Sequence, residues 1–133
     1  MTLDKNRPYS VYNADFTNCF RGLTSVSTTG GTIVHNNFNL GQVPDEDFSF
    51  GQIGAEFHFD HNGFVLQENK FEVTEEETEV ISFGILCNNL GAFDNEIRRD
   101  SFINLLTSNQ SFGENADSSD LFPRGLVYLC NKN

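Results

Sequence analysis

Residues 53–60 alternate strictly between apolar side chains at the odd positions and Gly or polar side chains at the even positions. A period of two puts the two sets on opposite faces of a β-strand, whereas a helix would scatter both sets around its axis. The segment therefore predicts a strand with one buried face. A chain built around such a strand needs further strands to pair with it, and this points to a mainly β fold.

A turn signal follows this strand directly. Asn62 and Gly63 both accept positive φ, and an Asn-Gly pair after an alternating run is the strongest local indication of a β-hairpin. With this pair at the centre of the turn, Phe59 faces Leu66 across two antiparallel strands. The alternation then continues through residues 70–73.

Further strands are predicted on both sides of this segment. A short strand at residues 32–35 follows the Gly30-Gly31 turn, and a final strand occupies residues 125–130. Residues 79–87 are apolar on both faces, which is typical of a central, fully buried strand. Residues 41–50 and 51–60 echo each other at a ten-residue offset, but two copies are too few to indicate a repeat architecture.

One helix is predicted, at about residues 94–107. Asp94 can cap it and Glu96 favours the positive end of its dipole. A broad apolar stripe is formed by Ile97, Phe102, Leu105 and Leu106. Together these elements predict one domain over residues 1–133, an antiparallel β-sandwich or barrel-like fold with this short covering helix. Residues 1–20 are polar, with spaced aromatic residues, and predict an irregular N-terminal arm.

The net charge of −11 narrows the classes of partner. Nucleic acid and anionic membranes are recognised largely through Lys and Arg, so this balance disfavours both. It permits a basic protein partner. The sequence has no apolar run of the length that a signal peptide or a membrane span needs, which predicts a location in a virion or in the cytoplasm.

The three cysteines are Cys19, Cys87 and Cys130, with no CxxC spacing. A disulfide framework is not expected in a chain long enough to build its own core. Cys87 and Cys130 occupy similar positions at the ends of apolar runs, which predicts buried free thiols. A Cys87–Cys130 bridge stays open if the two strands lie side by side.

The residues nearest to a metal-ligand pattern are His58, Asp60 and His61. In the predicted strand, His58 and Asp60 project from the polar face and His61 from the other. A zinc site needs three or four ligands, and only Glu56 or His35 could complete this set. A calcium loop is excluded, because its first position would be His58 and its twelfth Asn69.

We therefore predict no metal site, no cofactor site and no catalytic residues, and favour a solvated strand face at His58. Whether His58 and Asp60 take part in a metal site stays open. A Cys nucleophile with a His base has no local signature here. The chain also lacks the spacing of a phosphate-binding Gly-rich loop.

Three hypotheses for function follow. The leading one is a non-enzymatic structural or assembly protein, such as a capsid-decorating or tail component of a virion, that forms a homo-oligomer or a larger assembly through protein contacts. It predicts exposed apolar or aromatic patches. The second is an acidic inhibitor or adaptor that mimics nucleic acid, with the acidic clusters at 45–47, 75–79 and 114–120 on one face. The third is a ligand-binding β module or small enzyme that uses the His58 face or a barrel mouth as its pocket, and it requires a cleft.

Overall fold

The computed structural model describes residues 1–4, 7–41, 51–59, 61–74, 81–117 and 124–132. The regular structure in these ranges consists of strands, which we number in chain order and which form three sheets. Sheet A contains, in spatial order, β1 (Thr2–Asp4), β4 (Arg21–Val26), β7 (Gln52–His58), β10 (Ser82–Asn88) and β13 (Thr107–Phe112). Sheet B contains β14 (Ala116–Asp117), β15 (Arg124–Leu129), β11 (Asn95–Arg98), β8 (Asn62–Gln67), β5 (Thr29–Val34) and β2 (Tyr9–Tyr12). Sheet C contains β12 (Ser101–Ile103), β9 (Lys70–Val73), β6 (Asn37–Leu40) and β3 (Asp15–Cys19).

The chain winds through the three sheets in turn, so that each coil adds one strand to each sheet. Neighbouring strands in a sheet therefore come from successive coils and run parallel, as for β4, β7 and β10. The exception is the antiparallel pair of β14 and β15. The result is a three-sided parallel β-helix whose core lies between the sheets. The described ranges hold no helix of the length and apolar character needed to cross a membrane.

The corner between sheets B and C repeats in every coil. Asn36, Asn69, Asp100 and Asn131 lie at equivalent corner positions, separated by 33, 31 and 31 residues. The residue before each of them has a left-handed backbone with φ between 52° and 57°, namely His35, Glu68, Arg99 and Cys130. One left-handed residue reverses the direction of the side chains and turns the strand sharply, which is how each coil passes from sheet B to sheet C.

The four corner residues form a hydrogen-bonded ladder, which we call the Asn ladder (Asn36, Asn69, Asp100 and Asn131). Asn36 Nδ2 donates to Asn69 Oδ1 at 2.9 Å, and Asn69 Nδ2 donates to Asp100 Oδ1 at 2.9 Å. The backbone N–H of each ladder residue also donates to the next side chain, as from Asp100 to Asn131 at 2.9 Å. The ladder thus satisfies buried polar groups of adjacent coils.

Each Asn of the ladder also donates Nδ2 to a carbonyl of sheet B. The acceptors are Val11 for Asn36, Ile33 for Asn69 and Ile97 for Asn131. These acceptors belong to one row of the sheet, in which Leu66 lies between Ile33 and Ile97. The ladder residue that would donate to Leu66 in this pattern is Asp100, whose Oδ2 is buried and has no hydrogen-bond partner among the described residues. A carboxylate has no N–H to donate, so the aspartate interrupts the pattern.

Aromatic rings stack beside the Asn ladder on the inner side of sheet C. This Phe stack consists of Phe16, Phe38, Phe71 and Phe102, with successive ring centroids 4.5, 4.6 and 5.3 Å apart. Phe38 and Phe71 are completely buried. The chain has 14 Phe residues, and this stack makes the core rich in aromatic rings.

Three glycines of sheet A make room for the stack. A Cβ at Gly22, Gly54 or Gly84 would lie 2.4–2.6 Å from the ring of Phe38, Phe71 or Phe102, respectively. Real Cβ atoms do not approach a ring this closely, so each coil pairs one glycine in sheet A with one phenylalanine in sheet C.

The prediction of an antiparallel sandwich or barrel is wrong. β7 and β8, expected to form a hairpin, lie in different sheets, and each has parallel partners on both sides. Of the predicted turn pair, Gly63 has positive φ, at 79°, and Asn62 does not, and both residues belong to β8. Among the described residues between the two strands, Phe59 is left-handed, with φ of 59°. Alternation within a strand reports which face is buried and not the direction of its partners, which is why the two folds looked alike in sequence.

The predicted helix at residues 94–107 is also wrong. This region contains β11 and β12, and the left-handed Arg99 between them turns the chain from sheet B into sheet C. Ile97 and Phe102 both point into the core, but from two different sheets. Their spacing resembles that of the apolar face of a helix. It is the corner between the two strands, however, that directs both side chains into the same core.

The expected irregular N-terminal arm at residues 1–20 is wrong for the described part of that range. Strands β1, β2 and β3 pair in parallel with β4, β5 and β6, so they form the first coil of the β-helix. The prediction of a central buried strand at residues 79–87 is confirmed at residues 82–87, since β10 is paired on both edges. The predicted final strand corresponds to β15.

Candidate binding groove on the outer face of sheet A

Rows of side chains on the outer face of sheet A come from successive coils. In one row Thr24, Glu56 and Leu86 are neighbours, and in the next row His58, Asn88 and Phe112 are neighbours. Between these rows lies a groove of about 470 Å³, lined by Arg21, Glu56, His58, Phe83, Leu86, Asn88 and Phe112. We call it the sheet A groove.

Glu56 organises the polar end of the groove. It is only 4% exposed although it lies on the outer face of the sheet. Its Oε2 accepts from Arg21 Nη1 at 2.6 Å and from Thr24 Oγ1 at 3.4 Å, and its Oε1 lies 2.6 Å from His58 Nε2. Both carboxylate oxygens are therefore occupied, and Glu56 holds the guanidinium and the imidazole in fixed orientations.

Arg21 and His58 keep part of their surface open to the groove. Their side chains are 38% and 22% exposed, respectively. Nε2 of His58 is engaged by Glu56, and no hydrogen bond within the described part of the chain uses its Nδ1. An imidazole oriented by a buried carboxylate can donate, accept or pass a proton at its free nitrogen. The arrangement can therefore bind a polar group or hold a proton close to one.

The opposite end of the groove is apolar. Phe83 and Leu86 belong to β10, and Phe112 belongs to the neighbouring strand β13 and is 47% exposed. Two phenyl rings on a rigid sheet offer a large apolar contact area with little loss of conformational entropy on binding.

The two histidines of the set closest to a metal-ligand pattern lie in different parts of the structure. His58 lies in the groove beside Glu56, whereas Asp60 falls outside the described residues. His61 is buried in the core, where Nε2 lies 3.0 Å from Ser25 Oγ and the ring packs edge-on against Phe57 and Phe64.

His35, the other residue considered for this pattern, lies at a corner of the coil 3.3 Å from Glu68. Across the described ranges, no three His, Cys, Asp or Glu side chains come together as a metal site would require.

The cysteines are free, and the Cys87–Cys130 bridge that the sequence left open is not formed. Cys87 is buried in the core as predicted, and burial raises the pKa of its thiol to about 12. Cys130 is exposed at a corner, so the prediction of a buried thiol there is wrong. Cys19 is half-buried, and burial raises its pKa as well. A raised pKa keeps the Cys87 thiol protonated, and hence weakly nucleophilic, near neutral pH.

Sequence reasoning missed most of the residues that line the groove. His58 and Glu56 were considered, but Arg21, Phe83 and Phe112 were not. These three come from separate coils and have no local motif in common. The parallel register alone brings them together. The offsets between successive strands of sheet A are 32, 30 and 24 residues, so no single sequence period could have found all three.

A second feature of note is the C-terminal coil, by which we mean residues 103–117 and 124–129. It carries six of the large apolar side chains that the structure leaves exposed, namely Ile103, Leu106, Phe112, Val127, Tyr128 and Leu129. Leu106 is 70% exposed. Ile103 lies in sheet C, Phe112 in sheet A and Val127 in sheet B, so these side chains are spread around the last coil, and exposed apolar side chains of this kind mark contact sites between proteins.

The acidic clusters expected to converge on one face are not tested. The clusters at 45–47 and 75–79 lie outside the described residues, and so do the last three residues of 114–120.

No protein family model matches the chain, and no curated protein or solved structure matches it either. The proposals that follow are therefore argued from the sheet A groove and the C-terminal coil.

Proposed function

We propose that this chain is a ligand-binding β module whose binding site is the sheet A groove. The observation that carries the proposal is the buried Glu56, which holds Arg21 and His58 at 2.6 Å each beside an apolar wall. Apolar lining with a few fixed polar groups is the usual composition of small-molecule sites, and the groove volume falls in their usual range of roughly 300–1,000 Å³.

The burial of Glu56 favours a binding role over a purely structural one. The outer face of a sheet is normally solvated, and burying a carboxylate there costs free energy unless it is paired and hydrogen-bonded. Arg21, Thr24 and His58 supply these partners from β4 and β7. The cluster fixes three polar groups before any ligand arrives, and such preorganisation reduces the entropy lost on binding.

The experiment is a ligand-observed NMR screen of the whole chain against organic acids, amino acids, monosaccharides and disaccharides. We expect at least one class to bind the wild type and to lose binding to Phe112→Lys, which places a flexible charged chain at the apolar wall. The matched control is Tyr12→Lys, because Tyr12 is similarly exposed but lies on sheet B. Binding by none of the compounds, or equal binding to Phe112→Lys, would overturn the proposal.

A second candidate function is the structural or assembly role, and the observation that favours it is the set of exposed apolar side chains of the C-terminal coil. Strand β13 is the edge of sheet A in the described structure, and an edge strand can pair with a strand of another copy. Head-to-tail pairing of copies would produce an open assembly.

Light scattering over a range of protein concentrations tests this role. We expect a rise in mass that is abolished by Leu106→Lys with Val127→Lys and unaffected by Tyr12→Lys. A constant monomer mass in the wild type would exclude it. The narrower hypothesis of a virion component, the acidic-inhibitor hypothesis and the absence of enzymatic activity all stay predictions.

A further inference from the structure

The hydrogen-bonding groups left over in the sheet A groove are mainly donors. Both oxygens of Glu56 are taken by Arg21, His58 and Thr24. A guanidinium has five N–H donors, and the Arg21 group donates to Glu56 through Nη1. Asn88 Oδ1 accepts from Asn89 Nδ2, which leaves the Asn88 amide as a donor. A ligand that satisfies this set must present acceptor atoms.

The Arg21 donors lie at one end of the groove and the apolar side chains of Phe83, Leu86 and Phe112 at the other, where the Asn88 amide lies beside Phe112. Arg21, Glu56 and His58 come from β4 and β7, whereas Phe83, Leu86 and Phe112 come from β10 and β13. Strands of a sheet are about 4.8 Å apart, so the groove extends about 14 Å from its polar end to its apolar end. A complementary ligand is therefore elongated and amphipathic.

We propose that the sheet A groove binds a small organic monocarboxylate with an apolar tail. The carboxylate lies at Arg21, and the tail lies on Phe83, Leu86 and Phe112. The proposal rests on the function proposed above and names the ligand class for that same site. A carboxylate matches the fork of a guanidinium and accepts two parallel hydrogen bonds from it, which a neutral acceptor does not do as strongly.

The charges around the groove support an acid in particular. The chain carries a net charge of −11, which repels anions in general. Within the groove, however, the one carboxylate among the described lining residues is already paired with Arg21, so the local cluster presents donors and no free negative charge. A ligand acid therefore meets the remaining N–H donors of Arg21 and no unpaired carboxylate among the described lining residues.

The test is isothermal titration calorimetry of the whole chain with four probes. 4-Phenylbutyrate and octanoate supply the carboxylate on an aromatic and an aliphatic tail, and 4-phenylbutanamide and octanamide are their neutral matches. We expect each acid to bind at least about tenfold more tightly than its amide, a difference that corresponds to about 1.4 kcal/mol. Tighter binding of 4-phenylbutyrate assigns an aromatic tail, and tighter binding of octanoate assigns an aliphatic one.

Two variants locate the two halves of the ligand. Arg21→Gln with Glu56→Gln removes both charges together and should abolish the preference for acid over amide. Phe112→Ser should weaken acid and amide by the same factor. Arg99→Gln is the control, because Arg99 is an exposed cation at a corner of the coil, paired with Glu68.

The possible failures are distinguishable. Equal affinity for acid and amide in the wild type overturns the carboxylate assignment and leaves the groove as a binding site. Binding of all four probes that is unchanged in Phe112→Ser overturns the site itself. The comparison of acid with amide uses the wild type alone, so it decides the assignment even if the double variant fails to fold.

Discussion

The interior corner between sheets B and C and the outer face of sheet A are built on opposite rules. In the corner, like side chains stack on like: the Phe stack has a phenyl ring in four successive coils, and the Asn ladder has an amide in three of its four positions. On the outer face of sheet A, one row runs Thr24, Glu56, Leu86 and the next runs His58, Asn88, Phe112. Each coil there contributes a different chemistry.

This difference separates what holds the coils together from what they present to a ligand. A uniform stack satisfies the same packing and hydrogen-bonding requirement in every coil, so each copy supports its neighbours. A mixed row has no such requirement to meet, and its side chains are free to form a site. In a parallel β-helix the outer rows that break the repeat are therefore the place to look for function.

The largest effect that tests the comparison is expected from the middle of the Phe stack. Phe71→Ala should lower the free energy of unfolding by about 3–5 kcal/mol, because it opens a cavity between Phe38 and Phe102. Urea denaturation measures it. The matched control is Phe16→Ala, since Phe16 stacks on one side only and is partly exposed. Equal losses for the two variants would contradict a cooperative stack.

The next effect concerns Asp100, the odd member of the Asn ladder. Burial raises the pKa of Asp100 from 3.8 to about 6, and the charge of Glu68 adds to the rise. The folded state therefore binds this proton more tightly than the unfolded state does. The contribution is complete below about pH 4 and is lost as the pH rises to about 6, by up to about 3 kcal/mol.

Asp100→Asn should restore the missing donor toward the carbonyl row of sheet B and stabilise the fold at pH 7. The gain should shrink as the pH falls toward 4, which thermal melts of both proteins across this range will measure. As a control, Asn69→Asp should have the opposite sign, because it removes the donation to Ile33 and puts two carboxylates side by side. No difference between wild type and Asp100→Asn at pH 7 would refute this account of the ladder.

A smaller effect is expected where sheet A meets the Phe stack. Gly54→Ala would put a methyl group 2.4 Å from the Phe71 ring and 2.7 Å from the Gly84 carbonyl oxygen. Such overpacking should cost about 1–3 kcal/mol. In a double-mutant cycle with Phe71→Leu, part of this loss should be recovered because the smaller side chain leaves room. Strictly additive losses in denaturation experiments would show that glycine and ring are not coupled.

The smallest effect on stability is expected on the outer face of sheet A. Glu56→Gln keeps the shape of the side chain, and the Arg21 group it leaves is partly hydrated, so we expect a loss of about 1 kcal/mol. The same change at Glu96, whose side chain is 40% exposed and pairs with Arg98, should leave stability unchanged. A loss at Glu56 as large as that of Phe71→Ala would show that the groove residues stabilise the fold as much as the Phe stack does. The outer face of sheet A and the interior corner would then not differ in role.

Much of the local structure could be predicted from the sequence, but the architecture could not. The alternation in β7 and the apolar run of β10 identify strands, because burial of one or both faces leaves a direct pattern. The direction of pairing leaves none. Asn62-Gly63 indicates a tight turn, but in the structure both residues belong to β8.

The coil period is present in the sequence, but the repeat is weak. Phe38, Phe71 and Phe102 each follow a ladder residue by two positions. The coils that carry these pairs differ in length, and the side chains between them differ as well. The ten-residue echo at 41–60 is more conspicuous and has no counterpart in the coil period. Of the groove, His58 and Glu56 could be anticipated as polar residues of one strand face, whereas Arg21, Phe83 and Phe112 required the register.

Phe112 lines the groove and lies on β13, so part of the groove belongs to the terminal coil, where local unfolding of the fold can begin. Each coil contacts only its neighbours, so local unfolding of a β-helix proceeds from its ends. β13 is the last strand of sheet A in the described structure, and its loss would remove Phe112 from the apolar end of the groove while Arg21, Glu56 and His58 kept their places. A ligand that contacts both ends of the groove binds only when the last coil is folded. It should therefore slow hydrogen exchange in that coil, and more so the more tightly it binds.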